Sequence, residues 1–198
     1  MSEEKESKGM GGSNLTIQIA GAAIFGALSI AISFTASFIP RHPLGFAFFD
    51  PVSIIWVLCF LIFGPLAGTL CSVIGMVGLM PFDPFAPLGP FMKFAATIPM
   101  ILVPTILLKL YKMDEEGSDK LKDPKTYTKV GIVAIIIRLV IMVPINFAVY
   151  PIVTGTMEGI EAWILFAIIF NILQAVWDLL IPYLIYYTSG LDEKFAIW

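Results

Sequence analysis

Five stretches of this chain are too long and too apolar to be ordinary elements of a water-soluble fold. Residues 15–39, 91–110, 130–153 and 160–187 each approach or exceed the ~20 helical residues needed to cross a bilayer core roughly 30 Å thick. The fifth, 52–80, is broken by Gly64-Pro65. Proline clashes with the continuation of a helix, and a glycine before it permits a tight turn. That stretch therefore reads as two helices of about 13 and 16 residues, each reaching roughly 20–24 Å; residues 44–49 are placed to lengthen the first. Of 198 residues, 58% are hydrophobic and 14% charged, against about a quarter charged in a soluble domain. A soluble globule of this size has nowhere to hide that much apolar surface. With a net charge of −3 there is no bulk positive field for nucleic acid. A soluble enzyme, a disordered segment and a nucleic-acid binder are all disfavoured.

The flanks and the charges set the expected topology. Residues 1–14 form a polar, mixed-charge tail, and 15–39 is longer than a signal-peptide core, with no obvious small-residue cleavage site before a soluble domain. It reads as a retained first span. Lys109, Lys112, Lys120, Lys122, Lys125 and Lys129 flank or lie in one polar loop, at about 111–128. Lys5 and Lys8 sit in the N-terminal tail and Lys194 in the C-terminal tail, 189–198. Six spans put all of these on one face, and five cannot. The positive-inside rule then predicts an all-α, six-helix, multi-pass protein of the cell membrane. Both termini are cytoplasmic, and residues 15–188 make a single membrane domain. Only Arg41 and Lys93 fall on the outer side.

Small residues mark helix faces. Ala23, Ala27 and Ala31 recur every fourth residue, with Ala22 and Gly26 beside them. Such a stripe lets a second backbone approach closely in lipid, and spacing alone leaves internal packing and external docking both open. Gly64, Gly68 and Ser72 form a second stripe, expected to be internal. Three connections face outward in this topology, at 40–51, 81–90 and 154–161. The first two are rich in proline and phenylalanine, including Phe46 and Phe49. Such loops either cap a cavity or rest in the headgroup zone, where aromatics are favoured.

Polar groups inside the spans carry the sharper signal, since each costs free energy unless satisfied. Arg138 in the fifth span and Asp178 in the sixth lie at matching depth and are expected to form a structural ion pair. Asn146 lies two turns further out than Arg138. Asn171 and Gln174 share the face of the sixth helix that carries Asp178. Three carboxamides therefore can converge under the aromatic loops. Amides offer donors and acceptors together, which suits the edge of a neutral, flat heterocycle, although interhelical bonding among themselves is the competing use. A cationic ligand calls instead for carboxylates or an aromatic cage.

Catalytic signatures are missing. There is no phosphate-binding Gly-x-x-x-x-Gly-Lys-Ser/Thr loop, no His-Glu-x-x-His, no Gly-x-Ser-x-Gly and no Cys-x-x-Cys. His42 is the only histidine, and Cys59 and Cys71 lie within apolar runs, so no metal site, resident cofactor or disulfide framework is expected.

Four places in the sequence resemble the substrate-binding S components of energy-coupling factor (ECF) vitamin transporters, and most closely the riboflavin-binding RibU type. They are the alanine stripe Ala23, Ala27, Ala31; Phe49-Asp50-Pro51 followed by Phe63-Gly64-Pro65-Leu66-Ala67-Gly68; the run from Arg138 through Asn146 to Tyr150-Pro151; and Phe170-Asn171-Ile172-Leu173-Gln174. The resemblance spans roughly residues 15–188. It implies a six-helix S-component bundle in which Asn146 and Asn171 hydrogen-bond a flavin ring and Gln174 replaces a family lysine. Phe46, Phe49 and Lys93 complete the expected substrate contacts. It further implies that the alanine stripe docks on a transmembrane T component, with separate ATPase subunits supplying energy. Thiamine, pantothenate or a queuosine precursor on the same scaffold, and a membrane scaffold or enzyme without transport, are the competing readings.

Overall fold

A computed structural model describes residues 3–36, 38–39, 46–111, 114–195 and 198, with side chains from 14 onward except those of 36 and 114–117. Arg41, His42, Lys112 and the start of the expected 44–49 extension lie outside the described residues. The chain is all-helical: α1 Glu3–Ala36, α2 Pro51–Phe63, α3 Pro65–Leu79, α4 Leu88–Leu110, a 3-10 segment Asp114–Lys122, α5 Pro124–Thr154, α6 Ile160–Thr188 and the single turn α7 Leu191–Lys194. Four helices are long and apolar enough to cross a membrane, namely Asn14–Thr35 of α1, Leu88–Leu110, Pro124–Thr154 and Ile160–Thr188.

The boundaries follow from local chemistry. Asp50 caps α2 by accepting from the Val52 amide at 3.0 Å, with Pro51 pre-set for the first helical position. Asp123 does the same for α5, ahead of Pro124. The Thr126 hydroxyl, donating to Asp123, holds that carboxyl below its usual range. That cap starts α5 at Pro124, so the loop expected at 111–128 ends five residues earlier. The polar segment expected as a free tail is helical from Glu3 and continuous with α1. At the other end, α7 and Trp198 fold back on the bundle. Trp198 Nε1 donates to the Leu61 carbonyl at 3.0 Å, and its ring packs on Phe60. A carbonyl of the last turn of α2, which has no partner within the helix, thereby gains one.

Residues 52–80 form two helices because Gly64 turns the chain at φ 97°, a backbone region that disfavours any residue with a Cβ. The result is a tight α2–α3 pair, with α2 packed against α1, α3, α4 and α6 and nearly all of its side chains buried. Trp56, Phe60 and Leu61 are at the centre of the main core. Gly68 lets the pair close: a Cβ there would stand 2.5 Å from Phe60 Cβ and 2.9 Å from its Cα. Gly68→Ala is expected to cost about 1–3 kcal/mol through overpacking, read as a lower unfolding midpoint in detergent.

The two small-residue stripes of α1 separate cleanly. Ala22 and Ser29 are fully buried, and a Cβ on Gly26 would meet Ile74 at 2.7 Å, so this face packs on α3. Ala23, Ala27 and Ala31 are exposed on the other side. Internal packing therefore uses the neighbouring face and leaves the alanine stripe open. The Gly64, Gly68, Ser72 stripe is internal.

The connections α1–α2, α3–α4 and α5–α6 gather at one end of the bundle, the aromatic end. The α2–α3 turn, the 3-10 segment and α7 gather at the opposite, lysine-bearing end. There Ser118, at the base of α6, shares its hydroxyl with Tyr186 and accepts from Tyr187 at its carbonyl.

Candidate functional site

At the aromatic end a cavity of about 180 Å³ opens among the α1–α2 connection, the α3–α4 connection, α4, α5 and α6. Phe46, Phe49, Lys93, Asn146, Asn171 and Gln174 all line it. Their convergence needs four elements. Asn146 is two turns along α5 from Arg138, roughly 12 Å at 1.5 Å per residue. Asn171 and Gln174 lie one turn apart on the facing side of α6, and Lys93 projects from the second turn of α4. Ala96 and Met142, packed with Ala95 in a small apolar cluster, form its floor.

Arg138 organises the α6 wall. It is 1% exposed, and all three guanidinium nitrogens are used. NH1 donates to Asp178 Oδ2 at 2.7 Å, Nε to Asn171 Oδ1 at 3.0 Å and NH2 to Gln174 Oε1 at 3.0 Å. Asp178 Oδ1 accepts from Ser53 on α2 at 2.5 Å. A buried pair is tolerated only when further hydrogen bonds satisfy it, and here both partners are so held. The pair expected from matched depth is present, but it is not separate from the amides. Asn171 and Gln174 spend their carbonyls on Arg138 rather than on one another. The physical reason is reach: a guanidinium fork is long and planar enough to serve three acceptors at successive turns of α6.

The other amide valences are also directed. Gln174 Nε2 donates to the Ala47 carbonyl at 2.6 Å, tying the α1–α2 connection to α6, and Asn171 Nδ2 donates to Ala167. Asn146 Nδ2 donates to Met142, and its Oδ1 accepts from Trp163 Nε1 at 3.2 Å. Each primary amide retains a second N–H and a second lone pair beyond those bonds, and these are what the wall offers a ligand.

Lys93 is not a free cation. Its Nζ lies 2.5 Å from Asp50 Oδ2, with both side chains largely buried. Since Asp50 also caps α2, this pair fastens α4 to the start of α2. Asp83, from the α3–α4 connection, adds a second carboxylate to the lining. It accepts from the Phe85 amide at 2.7 Å, rests against Gly89, and has no ion-pair partner among the described residues. Sequence reading missed Asp50 and Asp83 as wall residues. Their Asp-Pro context announces turns and caps, which hides a second use.

The aromatic loop residues cover this end. Phe46 stacks on Phe170 at 5.4 Å with planes 5° apart and meets Trp163 at 4.8 Å; Phe48 meets Phe170 edge-on, and Phe49 meets Trp177 at 6.4 Å. Tyr150 closes the far side against Trp163, and its hydroxyl donates to the Glu158 carbonyl. The site combines flat apolar faces, amide edges and a balanced Lys93–Asp50 pair. Such a surface has the chemistry to hold a small polar molecule. Among the described residues no group of three His, Cys, Asp or Glu is placed to hold a metal.

Compared with known proteins, the chain matches no family model and no curated protein.

Proposed function

We propose that this chain is the substrate-binding S component of an ECF-type vitamin importer, with riboflavin as the first candidate ligand. The observation that carries the reading is the aromatic-end cavity, whose wall contains Asn146, Asn171, Gln174, Phe46, Phe49 and Lys93 together. In this reading the chain passes the cell membrane six times, α2 and α3 being short passes and α2 the one buried among the longer helices. The lysine-bearing end and both termini are cytoplasmic. The vitamin enters from outside, and the connections carrying Phe46–Phe49 and Asp83–Phe85 act as its cover. At about 180 Å³ the cavity is smaller than the ~300–1,000 Å³ of typical ligand sites, so admission of a flavin requires these covers to move outward. Uptake energy comes from separate ATPase subunits through a T component.

One observation favours a second vitamin class on the same scaffold. Asp83 places a carboxylate on the lining without a partnering cation among the described residues, which suits a ligand carrying positive charge or several donors, as thiamine does. A carboxylate vitamin such as pantothenate would face Asp50 and Asp83 and is disfavoured on charge; a queuosine precursor, rich in donors, remains compatible.

The docking face is the exposed stripe Ala23, Ala27, Ala31. Ala27→Trp places an indole where a partner helix must approach and touches nothing in the cavity wall. The expected result is vitamin binding unchanged in detergent and uptake into cells or proteoliposomes carrying the full transporter abolished. Normal uptake by that variant would reject the docking face.

A further inference from the structure

A second cavity, of about 370 Å³, lies at the lysine-bearing end between the last turns of α4 and the first turns of α5. It shares no residue with the vitamin cavity. Its floor is apolar, made by Leu107, Leu108, Val130 and Val133, and its rim carries Tyr111, Thr126 and Lys129. The gap has a local cause. Pro104 lies inside α4 just before the lined turn, and a proline within a helix removes a hydrogen bond and bends the axis. α5 begins nearby at the Asp123 cap, so the two helices flank the groove with ends rather than with fitted middles.

Its chemistry is two-part. Leucine and valine side chains offer a dry channel for a hydrocarbon. Lys129 is exposed at the rim and has no ion-pair partner among the described residues, and Lys125 stands one turn before it on the same face. Lys109, also exposed, ends the facing helix. Tyr111 is 68% exposed at the point where α4 leaves its apolar segment, the depth at which tyrosines sit in headgroups. A soluble anion would neutralise Lys129 but leave the leucine–valine floor wet. A neutral lipid would fill the floor but leave the lysines unanswered. We infer that this groove binds an anionic phospholipid, one acyl chain lying along Leu107, Leu108, Val130 and Val133 and the headgroup phosphate meeting Lys129. Basic pockets between spanning helices have this use in general. The inference needs only that the helices lie in a bilayer and is independent of the vitamin reading.

The test uses the full chain purified in mild detergent and native mass spectrometry with phosphatidylglycerol and phosphatidylcholine of matched acyl chains. Phosphatidylglycerol is expected to be retained in preference. Lys129→Gln, an exposed change that leaves the core untouched, should reduce that preference about fivefold, the worth of one lysine near an anionic surface. Val133→Trp, which fills the floor, should displace both lipids. Equal retention of the two lipids, an unchanged preference in Lys129→Gln, or no retention by the wild-type chain would each overturn the assignment.

Discussion

Replacing Arg138 by Met is expected to destabilise the bundle by about 3–5 kcal/mol, the cost of leaving a buried charge without its partner. The change strands Asp178 with only Ser53 as a donor and frees the carbonyls of Asn171 and Gln174 from their guanidinium donor. Removing both charges in the double variant Arg138→Met, Asp178→Leu should recover most of that loss, because a well-packed apolar pair of similar volume is often no less stable than the ion pair it replaces. Unfolding in mixed detergent, followed by tryptophan fluorescence, reads both variants. Ligand affinity should separate from stability here: the double variant regains its fold while Asn171 and Gln174 lose the fork that orients them. A double variant as unstable as the single one would mean that the hub is not held together by charge compensation.

Ala96→Trp should lower vitamin affinity by at least about 100-fold, or roughly 2.7 kcal/mol. Ala96 is 6% exposed and forms part of the cavity floor beside Met142. An indole at that position projects into the aromatic-end cavity, while the hub and the covering aromatics stay in place. The stability cost is expected at about 1–3 kcal/mol, since part of the added volume enters an existing gap. Asn146→Leu probes the same wall from the polar side. It removes an edge amide and leaves Trp163 Nε1 without its acceptor, so weaker binding should accompany a cost of about 1–3 kcal/mol. Unchanged affinity in Ala96→Trp would place any ligand elsewhere.

The helices were legible because their signals are local. Apolar runs of spanning length and the Gly64-Pro65 break each act within a turn or two of chain, whereas the Asp-Pro caps at Asp50 and Asp123 went unread, so α5 starts earlier than expected. The matched depth of Arg138 and Asp178 was also legible, because helical rise turns sequence position into height. The second and third partners of Arg138, Asn171 and Gln174, were not. Whether an amide four or seven residues from Asp178 faces the solvent gap or the guanidinium depends on the rotation of α5 against α6, which the sequence leaves open. The same rotation of α1 decides which of two adjacent small-residue faces is buried. Ala22 and Gly26 pack on α3 while Ala23 and Ala27 remain outside, a difference of about 100° around one helix. The Lys93–Asp50 pair escaped notice for another reason: the aspartate has a sufficient local role as a helix cap.

The claim that Phe46, Phe49, Lys93, Asn146, Asn171 and Gln174 enclose a vitamin is tested most directly by titrating riboflavin into the purified chain and following quenching of flavin fluorescence, with thiamine and a queuosine precursor as competitors. Saturable one-to-one quenching, abolished by Ala96→Trp and relieved only by a vitamin that shares the cavity, is the predicted result. Flavin fluorescence that stays constant throughout the titration, together with no change in tryptophan emission from Trp163 on adding the other vitamins, would contradict it.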